Sequence, residues 1–461
     1  MVDLFCGGDH GVRQLGVQSV SCHYGLRLLD DLDRVLAGVK SSFQNLLRAF
    51  RYPNYRRFFL GQGIAVAGFW MSTSAMGWLL YRMTEDPFVL GLMGFCMHGP
   101  TFFLTPFGGV VGDRWSRRNV IIAAQSLNGI IFGVLAVLTL FELVQVWQIL
   151  AGCVLLGVVK AFEMPARQAL VVDVVDRRED LSNAIALNST VFHSGRLAGP
   201  ILAGVVIIPL AGEGACFLLH SLGLVIAVRC FLSLRISRPR KEKPRKAIFS
   251  EMGEGFSYAF GYSPVRSLLF LLFAFALMGQ PYNSLLPVFV RAVLEGDSST
   301  FGFLIGASGL GAVVAALGLA SRSSILGMGK IIFISGALYG LSLLAFAGSS
   351  LLPISILLQF LIGYTSINVM VGANTIIQTL VDDELRGRVM SLLGLVHLGT
   401  LPFGTLLFGR LASVIGAPQT VMFGAIGVLA AVSVFGMRLP TMRKVSLPRL
   451  REKGILPGPS S

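Results

Sequence analysis

The stretch GGVVGDRWSRRNVII, residues 108–122, places one aspartate and three arginines between two segments apolar enough to lie in lipid. Charges are costly in hydrocarbon, so such a stretch reads as a loop at a membrane face. The composition agrees. The 461 residues are 54% hydrophobic and 13% charged, against about 25% charged in a soluble domain. The net charge of +14 then belongs to basic loops rather than to a nucleic-acid surface, because no basic stripe sits on a soluble module.

Working outward from that loop, the chain resolves into apolar runs. Crossing about 30 Å of hydrocarbon at 1.5 Å per residue takes about 20 apolar residues. Twelve such runs are legible, at 58–81, 88–111, 119–140, 146–168, 184–209 and 214–233, then 268–292, 301–320, 330–348, 352–379, 389–413 and 418–437. They are continuous rather than alternating, which excludes a barrel of strands. The expected fold is an all-α integral membrane protein of twelve transmembrane helices in two six-helix, pseudo-symmetric halves. The expected division is an N-terminal extension and lead-in at 1–57, a first half at 58–233, a basic linker at 234–265, a second half at 266–438 and a tail at 439–461.

Alternate linkers differ in charge. One set carries Arg114, Arg117 and Arg118, then Arg177 and Arg178, then the run from Arg235 to Lys246, then Arg322, then Arg386 and Arg388. The other set holds little beyond Arg82 and Arg291. The asymmetry places the first set and both termini in the cytoplasm, with the protein multi-pass in the cell (inner) membrane. The linker RISRPRKEKPRKAIFSEMGEGFSYAFGYSPV, residues 235–265, is basic and Pro-containing in its first half, so it cannot cross lipid. It serves as a topological anchor or attracts anionic headgroups. A loose internal repeat supports two halves: VDVVDRREDLSNAIAL at 172–187 stands where VDDELRGRVMSLLGL stands at 381–395.

Six cysteines show no C-x-x-C and no zinc spacing. Cys96, Cys153, Cys216 and Cys230 read as small residues in apolar segments. Neither a metal nor a cofactor is expected. The first forty residues mix acidic and basic residues without a cleavable apolar run, which does not read as a signal peptide.

Twelve spans, two halves and a charged loop after the second span resemble the layout of the major facilitator superfamily. The loop itself resembles that superfamily's signature at Gly109, Asp113, Arg114, Arg117 and Arg118, with Ser116 where the family often has Gly. The resemblance implies a latch: Asp113 faces the N-terminus of span 11, near Arg388, where the helix dipole and arginine favour a carboxylate. Closer matches, including FRYPNYRRFFLGQGIAVAGFWM, AMGWLLYRMTEDPFVLGLMGF, LLGVVKAFEMPARQALVVDVV and RGRVMSLLGL, are similar to the enterobactin exporter group. That implies a secondary transporter exporting a siderophore-like or drug-like small molecule by alternating access in exchange for protons. An uptake symporter or a broad multidrug pump of the same fold stays open, as, more remotely, does a membrane enzyme or lipid flippase. In span 5, GRLAGPILAG resembles the superfamily's antiporter motif through Gly195, Gly199, Pro200 and Gly204.

Charges inside spans are functional candidates by default. Lys160 and Glu163 are neighbours on span 4, Arg167 follows them, and Arg196 lies within span 5. They read equally as a proton-coupling group centred on Glu163 or as a static Lys160–Glu163–Arg196 network. Trp70 and Trp78, with Gln280, Tyr282 and Asn283 of span 7 and Tyr364, Asn368, Asn374 and Gln378 of span 10, are candidates for an aromatic, mostly uncharged cavity, or else for helix packing. His98, His193 and His397 read as packed residues. No P-loop and no G-x-S-x-G elbow is present, so nothing points to catalysis. The expected partners are a small molecule, protons and membrane lipid, with no nucleic acid and a monomeric state.

Overall fold

A run of apolar residues in lipid has to satisfy its own backbone, and an α-helix does so within a single segment. The computed structural model describes residues 48–175, 177–235, 256–322 and 325–452, without the side chains at 106–114, 178, 182, 383, 384, 451 and 452. In the first half, α1 spans Pro53–Thr84, α2 Pro87–Arg114, α3 Arg117–Leu140 and α4 Val146–Asp173. Next, α5 spans Leu181–Ile201 and continues through a π-helical Leu202–Ile207, and α6 spans Ile208–Leu232. In the second half, α7 starts at Ser263–Ala274, loosens to a π-helical Phe275–Gly279, tightens to a 3-10 Gln280–Leu285 and closes with Leu286–Ala292. The remaining helices are α8 (Ser298–Ala320), α9 (Met328–Ala347), α10 (Leu352–Leu380), α11 (Asp383–Ile415) and α12 (Ala417–Glu452).

Among the described residues, eleven stretches are long and apolar enough to cross a membrane. One of them, Asn183–Leu232, has 50 residues, about 75 Å of helix and more than twice the hydrocarbon thickness. It holds two passes, α5 and α6. The turn between the passes falls at Gly212, within the first turns of α6, at φ 77° and ψ 175°, a backbone conformation a side chain would strain. Twelve passes follow.

Local sequence sets several helix starts. Proline enters the first turn of α1, α7 and α10, where a missing N–H costs nothing. The Asp297 carboxylate accepts the Thr300 N–H at 3.0 Å to start α8, and Gln145 and Gln148 form a capping box on α4. Each half is a bundle. In the first, α1 packs on α5 and α6, α2 on α4, and α3 on α4 and α6. In the second, α10 packs on α8 and α9, and α12 on α9 and α7.

The halves meet along α2 with α11 and α5 with α8. At the end away from the basic loops, these contacts are backbone to backbone. A Cβ added at Gly91 would stand 2.7 Å from the Gly409 Cα, and one at Gly204 2.8 Å from the Gly302 Cα. Only glycine allows helices that close. Nearer the middle, Phe403 meets Phe95 and Phe102 edge-on, with centroids 6.0 and 5.9 Å away.

Candidate functional site

Between the halves lies a cavity of about 400 Å³, walled by α1, α2, α3, α4, α5 and α6 on one side and α7, α8 and α11 on the other. Its most polar wall is built by α1, α4 and α5. On α1, Phe69 and Trp70 stand edge to face 6.0 Å apart, and Phe192 of α5 meets Trp70 at 5.7 Å. Two cations sit on this aromatic ledge. The Lys160 ammonium lies 5.1 Å from the Phe69 centroid, and the Arg196 guanidinium lies 5.7 Å from Trp70. Cation–π contact contributes about 0.5–2 kcal/mol, so a ring face can hold each charge without a carboxylate.

Glu163 is placed differently. Buried one turn beyond Lys160, it accepts the Gln125 Nε2–H at 3.0 Å and pairs with Arg167 at 3.5 Å. It is the one acidic side chain lining the cavity among the described residues. Lys160 and Arg196 make no ion pair or hydrogen bond among the described residues, so the static Lys160–Glu163–Arg196 network does not form in this arrangement. Glu163 partners Arg167, four residues on, because positions i and i+4 stack on one helix face.

Of the other cavity candidates, Trp70, Gln280 and Asn283 line the space. Gln280 and Asn283 fall in the 3-10 segment, whose three-residue turn aligns positions i and i+3. Tyr282, two residues on, turns away and donates its hydroxyl to Gln359 Oε1 at 3.1 Å. Trp78 lies outside the lining, packed against Phe301 at 5.6 Å with the Arg291 guanidinium 5.9 Å from its ring. It joins the halves near the end away from the basic loops. The α10 candidates also lie apart, because α8, contributing Phe301, Ile305 and Ser308, walls that side. Tyr364 packs on Ala312, Ala315 and Ile367, Asn368 is buried, and Gln378 bonds Asn374 at 3.2 Å.

The span 5 glycines divide their roles. A Cβ at Gly195 or Gly199 would come within 2.7 Å of Val66 or of the Met71 N on α1, whereas Gly204 faces α8. Pro200 lines the cavity; it has no N–H to give the Arg196 carbonyl, and the π-helical stretch begins two residues later. In the loop signature, Arg117 holds Asp173 of α4 at 2.9 Å, and Arg118 donates to the Phe231 carbonyl at 2.9 Å and to Leu232. Both contacts stay within the first half. The side chains of Gly109, Asp113 and Arg114 lie outside the described residues, as do residues 1–47 and 236–255.

Cavity residues that sequence reasoning set aside or missed are His98, Gln125, Asn128, His220 and His397. They are scattered over four helices, and uncharged polar residues of these kinds serve helix packing equally well. Three cavity residues carry buried polar atoms that lack a partner among the described residues: Trp70 Nε1, Asn128 Oδ1 and His397 Nδ1. Groups of this kind are available to a ligand. No group of three or more His, Cys, Asp or Glu stands together to hold a metal among the described residues.

The model of the transmembrane secretion effector family matches residues 45–454. The chain belongs to this family. With its twelve passes in two six-helix halves, it is a transporter of the major facilitator superfamily, not an enzyme, and a multi-pass membrane protein. It is 25% identical over 381 residues to the staphyloferrin A transporter of Staphylococcus aureus (strain NCTC 8325 / PS 47), covering 82% of this chain and 94% of that one. It is 24% identical over 397 residues to the multidrug efflux pump Tap of Mycolicibacterium fortuitum, covering 83% and 95%. It is 24% identical over 387 residues to the enterobactin exporter EntS of Escherichia coli O1:K1 / APEC, covering 84% and 91%. In fold it resembles a mutant form of the nucleoside transporter NupG, with a TM-score of 0.66 at 12% identity over 84% of this chain and 100% of that one. It also resembles a bacterial homologue of the human lysosomal transporter Spinster, at 0.62 and 14% over 88% and 99%.

Proposed function

We propose that this protein exports anionic, amphipathic small molecules of the siderophore-like or drug-like class by alternating access, in exchange for protons. The observation that carries this reading is the basic–aromatic wall, on which Lys160 and Arg196 lie against Phe69 and Trp70 with no carboxylate partner among the described residues. With Glu163 and Arg167 offsetting one another, the cavity walls carry a net positive charge. A desolvated anion with aromatic or apolar parts matches such a wall twice, by charge and by ring face. A cation matches only the rings. The relative named an enterobactin exporter supports the direction, and the charge of the basic loops supports a cytoplasmic entry side.

Glu163 is the proposed exchange carboxylate. It faces the cavity and is held by Gln125 and Arg167. In exchange, anion and proton ride alternate half-cycles: the anion binds Lys160 and Arg196 while Glu163 is ionised against Arg167, and Glu163 carries the proton back once the anion has left. Alternating access requires the Gly91–Gly409 and Gly204–Gly302 contacts to part when the far end opens. The loop signature from Gly109 to Arg118 is proposed as the latch of the cytoplasmic end.

The reading is tested by binding. Trp70 lies in the wall, so its fluorescence reports occupancy. A tricatecholate siderophore is expected to quench it, more strongly than a cationic dye of similar size. Loss of a charge-assisted contact costs about 1.5–3 kcal/mol, so Lys160→Gln or Arg196→Gln weakens siderophore binding about ten- to hundred-fold. Equal binding of siderophore and dye, unaltered in both variants, sinks the anion preference and favours the multidrug reading drawn from the Tap-like relative.

A further inference from the structure

On the lipid-facing side of the first half, α3 and α6 leave a groove of about 790 Å³ between them. It runs from Leu232 and Arg229, at the basic-loop end, past Gln125, Gly129, Gly133 and Ser221 to Leu138. From Gln125 to Leu138 the floor is about 20 Å long, more than one leaflet of a hydrocarbon core about 30 Å thick. Away from its basic end the lining is almost wholly apolar. In a bilayer, a long apolar slot open to the side receives an acyl chain.

The end of the slot is charged. Three arginines gather where α6 finishes. Arg57 donates to the Ser233 carbonyl at 2.7 Å, and Arg118 to the carbonyls of Phe231 and Leu232. These two satisfy the helix end and neutralise its partial negative charge. Arg229 is exposed, and its guanidinium has no partner among the described residues. A guanidinium free at headgroup depth presents paired donors matched to a phosphate. We propose that the α3–α6 groove is a binding site for an anionic phospholipid, one acyl chain lying along Gly129 and Gly133 and the headgroup phosphate held by Arg229. The site also touches transport, because Gln125 lines both the groove and the central cavity and donates to Glu163.

The floor can be filled without disturbing the backbone. A Cβ at Gly129 meets only Leu224, at 3.6 Å, so Gly129→Leu blocks the slot. The protein is reconstituted in equimolar phosphatidylglycerol and phosphatidylcholine, extracted, and its retained lipids counted by native mass spectrometry. Wild type is expected to keep phosphatidylglycerol in preference to phosphatidylcholine. Arg229→Gln should lower that preference about fivefold, the effect of one basic residue at an anionic surface, and Arg229→Lys should keep most of it. Gly129→Leu should lose the tightly held lipid of either headgroup. Melting in lipid-free detergent identifies a variant that has merely lost its fold. A folded Arg229→Gln with undiminished preference, or a folded Gly129→Leu that retains lipid as wild type does, overturns the proposal.

Discussion

Asp180 shows how much one residue can order at the basic-loop end. It stands immediately before α5 and is buried. Its carboxylate accepts the Tyr52 hydroxyl at 2.6 Å and pairs with Arg48 at 2.8 Å, while Asn183 Oδ1 accepts the Ala49 N–H at 3.0 Å. The lead-in to α1 is thereby fixed to the start of α5. The Tyr52 hydrogen bond, and then the nearby arginines, hold the Asp180 carboxyl below its ordinary range. A group whose folded-state pKa is lowered stabilises the fold above its unfolded value of about 3.9 and loses that contribution as pH falls through the lowered value. Thermal unfolding from pH 7 to pH 3 should therefore show wild type more stable than Asp180→Asn at neutrality, with the gap closing in acid. A gap independent of pH would remove the carboxylate from this role. Tyr52→Phe should reproduce part of the loss, about 1 kcal/mol for one hydrogen bond.

At the scale of elements, breaks in helix regularity place the cavity side chains. The 3-10 turn of α7 brings Gln280 and Asn283 inward and sends Tyr282 toward α10, and a period of 3.6 read from sequence does not foresee this. Most of the architecture was legible. Twelve runs of about 20 apolar residues gave twelve passes, because lipid leaves the backbone no other choice. The continuation of α12 to Glu452 was not, since its last turns hold Pro440, Pro448 and several basic residues and no longer read as apolar. The charged part of the cavity was legible for the same reason its residues are rare in lipid. Asn128, His98 and His397 were not, because uncharged polar residues serve helix packing equally well. The interhalf glycines yield a prediction at this scale. Gly91→Leu overpacks the α2–α11 contact by about 1–3 kcal/mol, shifting the equilibrium about 5–150-fold toward a state parted at that end. Distances between spin labels on α2 and α11 at that end should lengthen. An unchanged distribution would mean that this contact does not govern closure.

The whole molecule is arranged around its halves. Each has an aspartate immediately before its fifth helix that grips a neighbouring segment: Asp180 takes Arg48 and Tyr52, and Asp382 takes Arg449 at 2.5 Å. Arg449 in turn lies over Tyr262, 4.7 Å from its ring, at the start of α7. At the opposite end Arg82 ties α1 to Glu213 of α6 at 3.0 Å. These clamps all lie within one half or the other and leave free the interface that contains the basic–aromatic wall and Glu163. The most direct test is proton flux in proteoliposomes under an imposed pH gradient, with a tricatecholate siderophore and then a cationic dye added to wild type, Glu163→Gln and Lys160→Gln. Anion exchange through this wall predicts siderophore-triggered proton release in wild type, none in Glu163→Gln, and a shift to higher siderophore concentration in Lys160→Gln. Proton release that persists in Glu163→Gln, or that the dye triggers as well as the siderophore does, would contradict it.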